Sequence, residues 1–240
     1  MLKADIHLHA KEDKYDFIKY SAKELIDKAA DMHYDVLALT LHDYFYYPKD
    51  LKEYARKKGI LLIPGSEITI YGRDVLVYNA DAKELAKIKT FDDLRILKKK
   101  RGDNILIVAP HPYFKTRRCL NKELLKNIDI FEAIEYCHLH TKMINFNRKA
   151  EKIAKEYNKP MIGNSDSHNL YQIGLTFSYI DAKKDMRSVF AAIRKGRVKI
   201  KSTTISIWLF IRIFWWILMD GIKARKRKYF GWMSKGKDKK

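Results

Sequence analysis

Near the start of the 240-residue chain, Ala4-Asp5-Ile6-His7-Leu8-His9-Ala10 alternates polar and apolar residues. On a β-strand that period sends Asp5, His7 and His9 to one face and Ile6, Leu8 and Ala10 to the other. Two imidazoles and a carboxylate aimed at a common point suit a borderline metal such as Zn, Mn or Fe, with the carboxylate placed to bridge or orient. A half-buried edge strand with incidental polar residues would look the same in isolation. Four further segments make that reading hard to sustain. The run from Met161 ends in Asp166 and His168, again two residues apart, and the run from Asp35 ends in His42. Those from Asn104 and Gly59 end in His111 and Glu67. Each is a short apolar stretch of buried-strand type whose C-terminal end carries a metal-capable residue. Packing alone gives no reason for that repetition.

Taken in order, Asp5-Ile6-His7-Leu8-His9, Gly65-Ser66-Glu67, Ala109-Pro110-His111-Pro112 and Ser165-Asp166-Ser167-His168 resemble the motifs of the polymerase and histidinol phosphatase (PHP) superfamily of metal-dependent phosphoesterases. The resemblance runs from Asp5 to about Asp181. It implies an α/β fold, a distorted seven-stranded β/α barrel with two or three metals at the C-terminal ends of its strands. Position by position, His7, His9, Glu67, His111 and Asp166 match the ligands of the first two metals, and His42 and His168 those of a third. Glu67, His111, Asp166 and His168 are the catalytic candidates, with Glu67 as bridging ligand. The implied reaction is attack of a metal-activated hydroxide on a phosphate ester, without a covalent enzyme intermediate. Three positions depart from the pattern. Leu41 replaces the usual Asp before His42, Tyr15 stands where a further His is common, with Asp13 and Asp16 nearby, and Asp74 replaces a His on the strand after the glutamate. Two divalent ions are therefore expected, and a third that binds weakly or not at all.

Strands alternating with helical patterns must position these residues, as in α/β proteins. Helices are predicted over Ala22–Asp31 with Ser21 as N-cap, about 50–58, 91–100 stopped by Gly102, 147–157 and Met186–Arg194. Strands are predicted over 105–108, 130–136 and 177–181. The loop after His111 carries Lys115, Arg117 and Arg118, and guanidinium forks match phosphate oxygens. Arg117 and Arg118 are thus candidates for substrate binding. So is His138 in Cys137-His138-Leu139-His140, as a substrate contact or proton shuttle, with Glu135 at the rim.

The net charge is +20, and residues 201–240 hold 11 Lys/Arg against 2 Asp/Glu. A basic body suits an anionic substrate, a phosphorylated small molecule in the favoured reading. The same charge leaves two alternatives, a nuclease-type PHP module and a non-catalytic nucleic-acid-binding protein on this scaffold. Cys119 and Cys137 lack the CxxC spacing of a zinc ribbon or redox pair. With no charged-then-apolar leader, a cytoplasmic location is expected. The expected organisation is a barrel over 1–200 and a hydrophobic, polybasic tail helix over 201–240. All four tryptophans lie in that tail. Ile205–Met219 is apolar but for Ser206 and Arg212, and as a helix would reach about 22 Å, short of the roughly 30 Å hydrocarbon core. Lys223, Arg225, Lys226, Arg227 and Lys228 follow, then Tyr229, Phe230 and Trp232. That pattern predicts a shallow, in-plane anchor on an anionic membrane surface, at the inner face of the cell membrane. The competing reading is a helix packed on the barrel or buried in a dimer; the oligomeric state is not legible.

Overall fold

The structure, a computed structural model, describes residues 1–114, 116–213 and 215. Its elements in order are β1 (Leu2–Leu8), α1 (Ala22–Asp31), β2 (Val36–Leu39), α2 (Lys49–Lys57), β3 (Leu61–Ile70), β4 (Arg73–Tyr78), α3 (Ala82–Leu85), α4 (Phe91–Arg101), β5 (Leu106–Ala109), α5 (Lys122–Lys126), β6 (Ala133–Cys137), α6 (Asn147–Glu156), β7 (Met161–Asn164), β8 (Thr176–Ile180), α7 (Met186–Arg194) and β9 (Val198–Ser202). The five longer helices, α1, α2, α4, α6 and α7, stand where the sequence placed them, whereas the short α3 and α5 were not predicted. Ser21 caps α1 in a reciprocal capping box with Glu24, and Gly102 ends α4 at φ 51°.

Among the described residues, nine strands form one sheet in the order β7-β6-β5-β4-β3-β2-β1-β8-β9. The expected count of seven is therefore corrected to nine. The pairs β1–β2, β2–β3, β5–β6 and β6–β7 are parallel, whereas β1–β8, β3–β4, β4–β5 and β8–β9 are antiparallel. Seven was what the resemblance implied; this chain also contains strands joined by tight connections. β3 and β4 are joined by Tyr71-Gly72, both at positive φ (50° and 75°), a two-residue hairpin that needs no helix. β9 adds to β8 after only the short return from α7 and runs past residue 200.

The two edges of the sheet meet, so that it is nearly closed. Ser178 Oγ on β8 donates to Gly163 O on β7 and accepts from Gly163 N, at 2.9 and 2.8 Å. A side chain at Gly163 would meet Ile200 Cγ2 of β9 at 2.6 Å, so only glycine lets the edges approach. One apolar cluster (Ala4, Ile6, Val36, Ala38, Ile63, Leu76, Tyr78, Leu106, Val108, Ile162) is plugged by Val189, Phe190 and Ile193 of α7. The other strand faces pack against α1 and α2, and against α4 and α6.

After β9 the chain turns into helical residues beginning at 207, and Ile205, Phe210 and Ile213 are buried against Phe114, Cys119, Cys137 and Leu139. The first turns of the expected anchor thus pack on the barrel along one face. The rest of it, from Trp216 through the basic run Lys223–Lys228 to Trp232, lies outside the described residues. Among the described residues, no helix is long and apolar enough to cross a membrane.

Candidate metal centre

β1 does not keep the simple alternation its sequence suggests. Asp5 pairs with Leu37 and Leu8 with Leu39, so Ile6 and His7 together oppose the single residue Ala38. Such a bulge re-aims side chains beside a functional site. Asp5 consequently leaves the His7/His9 group; its buried carboxyl accepts from the backbone N–H of Ser165 (3.2 and 3.3 Å) and of His7 (3.4 Å). Burial raises its pKa to about 7.

The remaining candidates converge. Glu67 Oε2 lies 3.4 Å from His7 Nε2, 3.4 Å from His9 Nε2 and 3.1 Å from His42 Nε2, while its Oε1 lies 3.2 Å from His111 Nε2. Asp166 Oδ1 is 3.3 and 3.4 Å from His7 and His9 Nε2, and Oδ2 is 3.9 Å from His111 Nε2. Glu67 therefore stands between four imidazoles, using a different oxygen towards His111. His111 and Asp166 hold φ of 25° and 46°, a left-handed backbone that non-glycine residues adopt at a cost of about 1 kcal/mol or more.

Each imidazole is held from behind. Glu135, fully buried on β6, accepts from His7 Nδ1 and Asn164 Nδ2 through Oε1 and from the backbone N–H of His111 through Oε2, each at 2.8 Å. Asp13 Oδ2 accepts from His42 Nδ1 at 2.9 Å and lies 3.3 Å from His9 Nδ1. Asp16 Oδ2 lies 2.9 Å from His168 Nε2 and 3.4 Å from His42 Nδ1. Asp13 thus takes the partner role left vacant by Leu41. Asp16 brings a carboxylate to His42 and His168, whereas Tyr15 is exposed. The carboxylate support missing at Leu41 is thus supplied by Asp13 and Asp16 from the loop after β1.

Do these residues fit divalent ions? His7 Nε2 and His9 Nε2 are buried without a hydrogen-bond partner, although both rings donate from Nδ1 to carboxylates. An acceptor of that kind fixes the tautomer that leaves the Nε2 lone pair for a metal. Separations of 3.3–3.4 Å from Nε2 to the Glu67 and Asp166 oxygens match neighbouring donors around an ion whose bonds are about 2.0–2.2 Å long. The electrostatics agree. Burial opposes charge on His7, but Glu135, Asp166 and Glu67 outweigh it and raise its pKa well above the ordinary value; His9 likewise rises to about 9. Burial also opposes the ionised forms of Glu67 and Asp166, yet the surrounding histidines hold both well below the usual carboxylate range. The cluster is a set of anions waiting for positive charge, which divalent ions supply more compactly than protons.

The three substrate-binding candidates separate. Arg118 Nε donates to both oxygens of Asp74, at 2.8 and 2.9 Å, and Asp74 shares a possible ligand group with Glu67 and His111. Burial and Glu67 together push Asp74 up to about 6 despite Arg118. Arg117 is exposed and offers its carbonyl to Arg73 Nη1. His138 is 1% exposed, and its Nε2 accepts from Gln172 Nε2 at 3.1 Å. Burial lowers its pKa to about 4, so it is neutral. Gln172 in turn accepts from the backbone N–H of His168 and Asn169. His138 is not brought to the open side of the centre and props the loop that carries His168 instead, because the chain turns inward after β6. Sequence reasoning left Glu135 at the rim; its place on a strand directly beside the one bearing His111 was the available signal.

Solved structures similar in fold include the following three. A two-domain protein from Bacteroides vulgatus ATCC 8482 containing a predicted PHP-like metal-dependent phosphoesterase aligns at TM-score 0.66 and 22% identity, over 84% of this chain and 65% of that one. PsfC from Pseudomonas syringae PB-5123 aligns at 0.61 and 17%, over 94% and 98%. The lesion-specific endonuclease Q from Pyrococcus furiosus aligns at 0.60 and 14%, over 83% and 57%. The chain thus spans less than two thirds of the first and third of these. No curated protein matches it. Residues 145–198 match the family model described as PHP-associated. The chain thus shares its fold with a protein containing a predicted PHP-like phosphoesterase, and the PHP-associated match covers 54 of its 240 residues. The matched segment contains α6, β7, Asp166, His168, β8 and α7. It therefore carries two ligand candidates and the helix that plugs the barrel.

Proposed function

We propose that the protein is a metal-dependent phosphoesterase, a hydrolase acting on a phosphate monoester or small phosphodiester. The observation that carries this reading is the pair of orphaned, buried Nε2 atoms of His7 and His9 facing Glu67 and Asp166. His7, His9, Glu67, His111 and Asp166 would hold two divalent ions of the Zn, Mn or Fe class, with Glu67 between them. His42 and His168, joined by Asp16, would hold a third. Ions held there would polarise a phosphoryl group and lower the pKa of water. The protein's own residues do the rest. Glu135 and Asp13 fix the rings of His7, His9 and His42, and Arg118, half-exposed beside Asp74, is placed to hold a phosphate oxygen. The barrel would carry the reaction, and the basic tail would hold it at a membrane.

A second reading, a nuclease-type module, is favoured by the fold shared with endonuclease Q, which has been seen with a 27-mer duplex substrate bearing an abasic lesion. The net charge of +20 is compatible with it.

Metal analysis of the purified protein, paired with a screen of sugar phosphates, nucleotides and single- and double-stranded DNA, tests both. Bound divalent metal with turnover of a small phosphate ester supports the first reading. Cleavage confined to DNA would replace it with the second, and failure to bind divalent metal would remove both.

A further inference from the structure

The helix that begins at residue 207 lies at the metal-bearing end of the barrel. Its inner residues Phe210 and Ile213 pack with Phe114, three residues beyond His111, and with Leu139, two beyond the end of β6. The Arg212 guanidinium lies 5.6 Å from the ring centre of Tyr171, three residues beyond His168. Just before the helix, Ile205 N donates to His140 O at 3.0 Å. The helix therefore rests on loops that follow three of the strands carrying or supporting the centre.

Its opposite side is exposed and, apart from Arg212 at its margin, apolar. Trp208, Ile211 and Trp215 are 79%, 39% and 58% exposed, and their spacing of three and four residues makes one stripe. The inner face already being occupied by the barrel, this stripe can enter an interface only sideways, to shallow depth. Charge selects the occupant. The chain continues into Lys223, Arg225, Lys226, Arg227 and Lys228, and residues 201–240 hold 11 Lys/Arg against 2 Asp/Glu. Two copies of so cationic a segment repel each other, whereas anionic headgroups attract each Lys and Arg, and tryptophan favours the headgroup boundary.

We infer that the outer face of this helix docks the metal-bearing end of the barrel on an anionic lipid surface, presenting the site to phosphate esters carried at that surface. The substrate half rests on the phosphoesterase reading; the docking half does not. The test uses the full-length, metal-loaded protein and a W208S/I211S/W215S variant. It measures sedimentation with phosphatidylcholine vesicles containing or lacking phosphatidylglycerol, and hydrolysis of phosphatidic acid in those vesicles and of soluble glycerol phosphate. The native protein should sediment with the anionic vesicles only, with binding weakened by salt. The variant should lose roughly tenfold or more of that partitioning. Its turnover of vesicle-borne ester should fall in parallel, while its metal content and any turnover of the soluble ester stay unchanged. Docking is overturned if the native protein ignores anionic vesicles, if the variant binds them equally, or if the outer stripe is shielded in a stable dimer. It is also overturned if the protein binds single-stranded DNA but not vesicles. Vesicle binding without hydrolysis of either ester would sustain the docking and sink the phosphoesterase reading. Vesicle binding with hydrolysis of the soluble ester alone would overturn the lipid-borne substrate.

Discussion

Asp13 grips His42 twice: one carboxylate oxygen, Oδ2, accepts both the backbone N–H and the ring Nδ1–H of His42, each at 2.9 Å. The His42 side is buried and the pairing with His42 and His9 holds Asp13 well below the ordinary carboxylate range, against the opposing effect of burial. Asp13→Ala should therefore weaken metal binding at the position shared by His42 and His168 by about 10–100-fold, the usual cost of losing such an orienting partner. Titration of the apoprotein with Zn or Mn, followed calorimetrically, should show this step move most, with a smaller shift in the step that uses His9, whose ring Asp13 meets at a longer 3.3 Å. An unchanged isotherm would remove Asp13 from that role.

Glu135 serves three buried donors at once, so its loss is structural as well as functional. Glu135→Ala leaves the His7 ring, the Asn164 amide and the His111 backbone N–H unpaired, at about 1–3 kcal/mol each. Thermal unfolding of the apoprotein should show Tm lowered by roughly 6–12 °C, taking the lower bound of about 3 kcal/mol in total. Glu135→Gln, which keeps acceptor capacity, should recover part of the loss.

Removing a ligand candidate should separate chemistry from folding. His9→Ala or Asp166→Ala should abolish phosphatase activity and lower bound metal, and chelation of the native protein should do the same reversibly. Circular dichroism should be preserved, because these residues stand at strand ends rather than within the apolar clusters. Glu67→Gln should be nearly as damaging, since a neutral amide bridges two cations poorly. Full turnover by Asp166→Ala with undiminished metal would refute the assignment.

Arg117 and Arg118 are neighbours in sequence but not in environment. Arg118→Ala should lower kcat/KM about tenfold or more at constant metal content, the loss of one charge-assisted phosphate contact of about 1.5–3 kcal/mol. Arg117→Ala should leave the kinetics unaltered. Equal effects from both would assign the contribution to general positive charge.

The closure of the barrel depends on Gly163. Gly163→Ala places a Cβ 2.6 Å from Ile200 Cγ2 and 3.2 Å from the Phe177 carbonyl oxygen, contacts that a β-branched side chain and a backbone cannot both yield. Denaturant unfolding should show a loss of about 1–3 kcal/mol, as for other overpacked sites. No loss of stability would mean that the edges of the sheet are not held together there.

The convergence of the ligand candidates was legible because strand and donor share a local pattern. His7 and His9 stand in an alternating strand, His42, Glu67, His111, Asp166 and His168 follow short apolar runs, and strand ends in α/β barrels share one face. α1 and α7 were equally legible, since cap and apolar period lie within about a dozen residues of each other. What the sequence withheld depends on residues far apart in it. The bulge that removes Asp5 from the ligand group is set by pairing with β2, and the roles of Asp13, Asp16 and Glu135 arise where loops from different strands meet. His138 was a candidate substrate contact or proton shuttle, but only the packing of Gln172 against it decides that it is buried, which lowers its pKa. The tail divides in the same way: its apolar and basic composition is local and announced an interface. Which face meets the barrel is a long-range fact, decided by the complementarity of Phe210 and Ile213 to Phe114 and Leu139.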